Sequence, residues 1–117
     1  MDLPEFDIND PVSVYVNEVC KVPPLTSEEE VDLLRHIQDQ DAQAELAKKR
    51  LVEANLLLVV NIAMSHRSSG IHILDLIQEG NNGLLSAVKT LANSSGPFSI
   101  HTAACIEQAI KNRIAQG

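Results

Sequence analysis

Apolar residues recur along this chain at helical intervals, and polar clusters punctuate them. Val12, Tyr15, Val16 and Val19 fall at i, i+3, i+4 and i+7, the spacing of one buried helix face. Asp10-Pro11 supplies its start, because Asp can accept from free backbone N–H groups and Pro at the first helical position forfeits no hydrogen bond. Pro23-Pro24 closes the segment, since neither residue can donate one. Thr26 with Glu29 then predicts a capping box, and Glu28 to Glu30 place negative charge at the positive end of a second helix beginning near Ser27. Val31, Leu33, Leu34 and Ile37 are its apolar positions, ahead of the polar stretch Gln38 to Gln43.

A longer pattern follows. Ala47, Leu51, Ala54, Leu58 and Ile62 form a stripe that Val52, Leu56, Val59 and Ala63 widen towards half the circumference, which predicts a long third helix at the centre of the core. Ser68-Ser69-Gly70 breaks it, and a fourth helix is expected from about residue 73 to 92 with Leu74, Ile77, Leu84, Val88 and Leu91 inward. Asn93-Ser94-Ser95-Gly96-Pro97 interrupts again before a last helix, capped by Ser99, with Ala103, Ile106, Ile110 and Ile114 on one face. With no alternating strand pattern and no internal repeat, the expected fold is all-α, a compact bundle of about five helices. Residues 1–9 read as a tail and 10–117 as a single domain.

Composition narrows the function. Apolar residues make up 44% of the 117 but aromatics only 3%, so the core is aliphatic. A net charge of -7 argues against general nucleic-acid binding, and any DNA contact would need a local basic patch. Lys48-Lys49-Arg50 is the one basic cluster, and Glu45 and Glu53 at helical distance balance it as a solvated face. No run reaches the roughly 20 apolar residues of a membrane span, and the first ten residues lack a signal-peptide pattern. Together with two widely separated cysteines, this predicts a protein of the reducing cytoplasm without membrane contact. None of His36, His66, His72, His101, Cys20 and Cys105 has the short paired spacing of a structural zinc site, so no metal is expected. The carboxylates sit at helix starts and no glycine loop cradles phosphate, so neither an enzyme nor a cofactor is expected.

The run Asp75-Leu76-Ile77-Gln78-Glu79-Gly80-Asn81-Asn82-Gly83-Leu84 stands out, because two glycines inside a helix cost roughly 1 kcal/mol each relative to alanine. Asp75, Gln78, Glu79 and Asn82 lie on one polar stripe with the glycines beside it. A solvated face is the plain reading and a docking surface the sharper one. This run, with Glu53-Ala54-Asn55-Leu56 and Val59-Val60 before it, closely resembles the sigma-70 family of bacterial RNA polymerase sigma factors. The likeness begins at Asp10-Pro11 and Tyr15, passes through Pro23 and Leu25 to Glu30, and reaches Gln108-Ala109-Ile110, so it covers regions 1.2 to 2 of that family. It implies that Asp75, Gln78, Glu79, Asn81 and Asn82 bind the clamp helices of the largest subunit of core RNA polymerase, with Asn82 standing where the family usually has an apolar residue. Carboxylates and amides suit basic and amide donors there.

The likeness fails in the next helix. That helix in the family opens and reads the upstream promoter element with a Phe-Ser-Thr-Tyr-Ala-Thr-Trp-Trp-Ile-Arg-Gln-Ala-Ile pattern. Aligning Phe98-Ser99 and Gln108-Ala109-Ile110 to it puts His101 at the Tyr, Ala104 and Cys105 at the two Trp, and Glu107 at the Arg. Each lost aromatic platform removes about 1–3 kcal/mol of base stacking, and Glu107 adds repulsion. Gln108 and Lys111 remain as residual DNA-contact candidates. The leading expectation is therefore a sigma-like, non-enzymatic transcription protein that docks on polymerase with promoter melting weakened or lost. Two alternatives stand beside it: a divergent but working sigma factor using Gln108 and Lys111 on promoter DNA, and a self-associating module exposing the surface around Ala104 and Cys105.

Overall fold

The computed structural model describes residues 11–90 and 98–117. They form six α-helices: α1 Pro11–Cys20, α2 Ser27–Asp39, α3 Ala44–Ala54, α4 Leu56–Ser65, α5 Ile73–Lys89 and α6 Phe98–Gln116, with a 3-10 turn at Arg67–Ser69. No strand occurs among the described residues, and none of their helices is long and apolar enough to cross a membrane. The all-α helical architecture expected from the pattern is the one observed. The expected tail at 1–9, the Asp10 cap, the inward Leu91 and the break at 93–97 lie outside the described residues.

The predicted capping box opens α2. Thr26 Oγ1 accepts from the Glu29 N–H at 3.1 Å, and Glu29 Oε1 accepts from the Thr26 N–H at 3.0 Å. The backbone N–H of Thr26, then its hydroxyl, hold the Glu29 carboxyl below its ordinary range. Just past the far end of α2, a hydrogen bond to His36 is the main cause that lowers Asp41. Gln40, at φ 50, stops the helix in the left-handed conformation with its N–H on the Ile37 carbonyl. Val31 was expected to face inward but is 66% exposed, and Ile37 is the one fully buried residue of α2. This helix packs chiefly on α3 along a narrow edge, so the apolar stripe is covered only in part.

The long central stripe is divided between α3 and α4. They meet at Asn55 (φ -109, ψ 5), whose side-chain amide donates to the Leu51 carbonyl at 2.7 Å and so satisfies a group the break would orphan. The interruption changes the helical phase. Ala44, Ala47 and Leu51 are buried on α3 and Val59, Val60, Ala63 and Met64 on α4, whereas Ala54, Leu58 and Ile62 are only half-buried.

The glycines of α5 lie on its inner side rather than beside the polar stripe. A Cβ on Gly80 would stand 2.7 Å from Val59 Cγ1. One on Gly83 would stand 2.7 Å from the Cys105 carbonyl oxygen and 3.0 Å from both Ile106 Cα and Ala109 Cβ. Their bare backbone lets α6 lie directly on α5, and this close packing offsets the helix-propensity cost. Leu76 and Leu84 of α5 and Ile106 and Ile110 of α6 are fully buried around the contact. α6 begins at Phe98, so Ser99 is an exposed first-turn residue rather than a cap. Its core line is Phe98, Thr102, Ile106 and Ile110, with Ala103 and Ile114 half-buried at the flanks.

Candidate functional site

Helix α5 starts on His72, whose Nδ1 accepts from the Leu74 N–H at 3.1 Å. Its apolar residues and glycines turn to the core, so period 3.6 carries Asp75, Gln78, Glu79 and Asn82 to the opposite side. Asp75, Gln78 and Asn82 are exposed and Glu79 is half-buried. Asp75 stands in the first turn, where the backbone dipole favours its negative charge. The four side chains make no hydrogen bond or ion pair with another described residue, so their acceptors remain available to a partner.

Asn81 is placed differently. It leaves the stripe for the α1 side, where its Nδ2 donates to the Tyr15 hydroxyl at 3.2 Å. Its Oδ1 is buried and has no hydrogen-bond partner among the described residues. A residue expected in the docking face is thus half-buried behind it, tied to a tyrosine 66 positions away. Nothing in the local sequence signals that pairing.

The outer side of α6 collects every position singled out there. Ala104, Gln108 and Lys111 are exposed in the middle of the arc, with His101 and Cys105 half-buried towards one flank and Glu107 towards the other. Most of these groups are already paired. Glu107 Oε1 lies 2.5 Å from His66 Nε2, at the C-terminus of α4, and 3.8 Å from Lys111 Nζ. Gln108 Nε2 donates to Asn112 Oδ1 at 2.8 Å. His101 Nε2 stands 3.3 Å from Thr90 Oγ1 and 3.8 Å from Cys105 Sγ. The His66 contact to Glu107 spans 41 positions, beyond the reach of periodicity, whereas the four-residue spacing of His101 and Cys105 could have announced theirs.

At the two positions where the resemblance puts Trp, Ala104 and Cys105 offer only small side chains. Elsewhere, Lys48 pairs with Glu45 at 3.2 Å, and Arg50 donates to the Pro23 carbonyl at 3.2 Å. The basic cluster is thus partly spent on the fold itself.

The chain matches known proteins over most of its length. The model of sigma-70 region 2 covers residues 51–117 and that of sigma-70 factor region 1.2 covers residues 10–43. An RNA polymerase sigma factor SigA from a Bacillus species is 46% identical over 113 residues, covering 96% of this chain and 29% of the relative. The SigA of Clostridium acetobutylicum is 45% identical over 117 residues, covering 98% of this chain and 30% of the relative. The chain therefore spans about a third of the length of these relatives.

Proposed function

The chain belongs to the sigma-70 family, and on that premise we propose that it is a non-enzymatic transcription protein that docks on the clamp helices of core RNA polymerase. Asp75, Gln78, Glu79 and Asn82 of α5 provide the contact, and Asn81 supports it from behind by holding α5 against Tyr15. The observation that carries this reading is the stripe itself, a row of polar acceptors with no partner among the described residues. Promoter melting and reading of the upstream element are weakened or lost, because the outer arc of α6 has no aromatic platform and an acid at its flank. A protein of this kind would modulate transcription by competing with other sigma factors for polymerase.

Retention of core polymerase by the immobilised chain tests the docking. The wild type retains it, whereas Gln78→Ala/Glu79→Ala lowers affinity by about 2–4 kcal/mol, roughly thirtyfold or more, with unchanged helicity. Failure of the wild type to retain polymerase would overturn the reading.

Exposed Gln108 and Lys111 favour a second reading, in which the chain contacts duplex promoter DNA as a divergent sigma factor. Permanganate footprinting of promoter DNA with core polymerase separates the two. Reactive thymines in the presence of this chain would establish the second reading; their absence alongside polymerase retention supports the first.

A further inference from the structure

Helix α1 depends on its neighbours for its order. It is 10 residues long, below the roughly 12–15 residues a helix needs to persist alone in water. Val12, Val16 and Val19 are buried against the rest of the molecule. Tyr15, half-buried on the same helix, reaches α5, where its hydroxyl accepts from Asn81 Nδ2 at 3.2 Å. Asn81 stands in the chain between Glu79 and Asn82, two members of the outer stripe. Its Oδ1 is buried without a partner among the described residues, so the Tyr15 hydroxyl is the amide's one described anchor. A single turn of α5 therefore carries groups that face a partner and the group that holds α1.

We infer that the grip of polymerase on the α5 stripe and the seating of α1 are one coupled equilibrium, joined through the Asn81–Tyr15 hydrogen bond. The inference rests on the docking reading above and adds its regulation. A partner that fixes Glu79 and Asn82 fixes the backbone on both sides of Asn81, and with it the direction of the amide. Tyr15 then closes on a group whose order is already set, so α1 seats more firmly. Linkage makes the effect mutual, and whatever lifts α1 weakens the grip by the same factor. That factor is about tenfold, the scale of leaving one buried polar group unpaired. Tyr15 and Asn81 act here as positioning residues, and α1 becomes a point at which docking can be loosened without touching the stripe.

Amide exchange on the full chain, alone and with saturating core polymerase, tests the coupling. Protection of the α1 amides should rise about tenfold on binding. Tyr15→Phe should bind about tenfold more weakly and, once saturated, show no such rise. Val12→Ala is the control: it loosens α1 by trimming a buried contact but keeps the hydroxyl, so the rise should remain. Tyr15 is the chain's one tyrosine, so fluorotyrosine in its place gives a single fluorine resonance. Polymerase should broaden that resonance, which reports docking by itself, and should move it away from its position in the free Asn81→Ala variant. Absence of broadening would remove the docking reading and the coupling with it. Broadening with unchanged α1 protection, a rise that survives in Tyr15→Phe, or a bound resonance at the Asn81→Ala position would overturn the coupling and leave docking standing.

Discussion

The outward faces of α5 and α6 lie on one closely joined pair of helices, yet they dispose of their polar groups in opposite ways. On α5, Asp75, Gln78, Glu79 and Asn82 have no described internal partner. On α6, Glu107 is engaged by His66 and Lys111, Gln108 by Asn112, and His101 by Thr90 and Cys105. Unpaired acceptors on a rigid helix exchange water for a partner's donors without breaking anything inside the protein. Groups bonded internally must first give up those bonds, which sets about 0.5–1.5 kcal/mol each against any external contact. The faces differ in charge as well, two carboxylates on α5 against one carboxylate and one lysine on α6, but internal pairing is what favours α5 as the contact surface.

Pulling the two helices apart is the strongest way to break this contrast. Gly83→Ala drives a Cβ to 2.7 Å from the Cys105 carbonyl and 3.0 Å from Ile106 Cα, backbone atoms that cannot rotate away. We expect a loss of about 2–3 kcal/mol in urea unfolding, despite alanine's better helix propensity. Gly80→Ala meets the Val59 side chain instead, which can turn, and should cost less. Removing the Tyr15 hydroxyl asks whether the α5 face depends on its support. Tyr15→Phe removes the described partner of Asn81 Nδ2, in an amide whose Oδ1 already has none, and should cost about 1–3 kcal/mol, with a fall in polymerase retention.

Unpairing the α6 face is a milder test. Glu107→Gln weakens its contacts with His66 and Lys111 at a partly exposed position, so stability should fall by less than about 1 kcal/mol. Permanganate reactivity should still be absent, because removing the acid does not restore an aromatic platform. If thymines become reactive, Glu107 alone was the block and the contrast rests on charge after all. Mild acid acts at the two ends of α2 and has the smallest effect. The lowered Glu29 and Asp41 carboxyls contribute stability that is present above the ordinary carboxylate range and lost as pH falls through their lowered values. Protection factors for amide exchange at the start of α2, referenced to the intrinsic rate at each pH, should therefore fall on acidification, and Glu29→Ala should flatten that dependence.

Periodicity made the outer stripe of α5 legible, because Asp75, Gln78, Glu79 and Asn82 need only a helix to share a face. The capping box at Thr26 was legible for the same reason, both partners lying within one turn. Three features were not. The break at Asn55 hides inside an apolar pattern that reads equally well as continuous helix, and it moved the core from Leu58 and Ile62 to Val59, Val60, Ala63 and Met64. The glycines announced a close approach but not on which side, since that depends on where α6 lands. The pairings of Asn81 with Tyr15 and of His66 with Glu107 join elements far apart in sequence. Family resemblance placed Asn81 in a binding role, and only the packed helices reveal that it faces inward.

The seat of Gly83 on the Cys105 carbonyl has a mechanical consequence. A side-chain contact yields when a rotamer flips, but backbone resting on backbone leaves no slack to take up. The two helices therefore behave as a lever with little backlash: a tilt imposed on α5 by whatever grips its outer face passes directly to α6, carrying Cys105 and His101 on its flank with it.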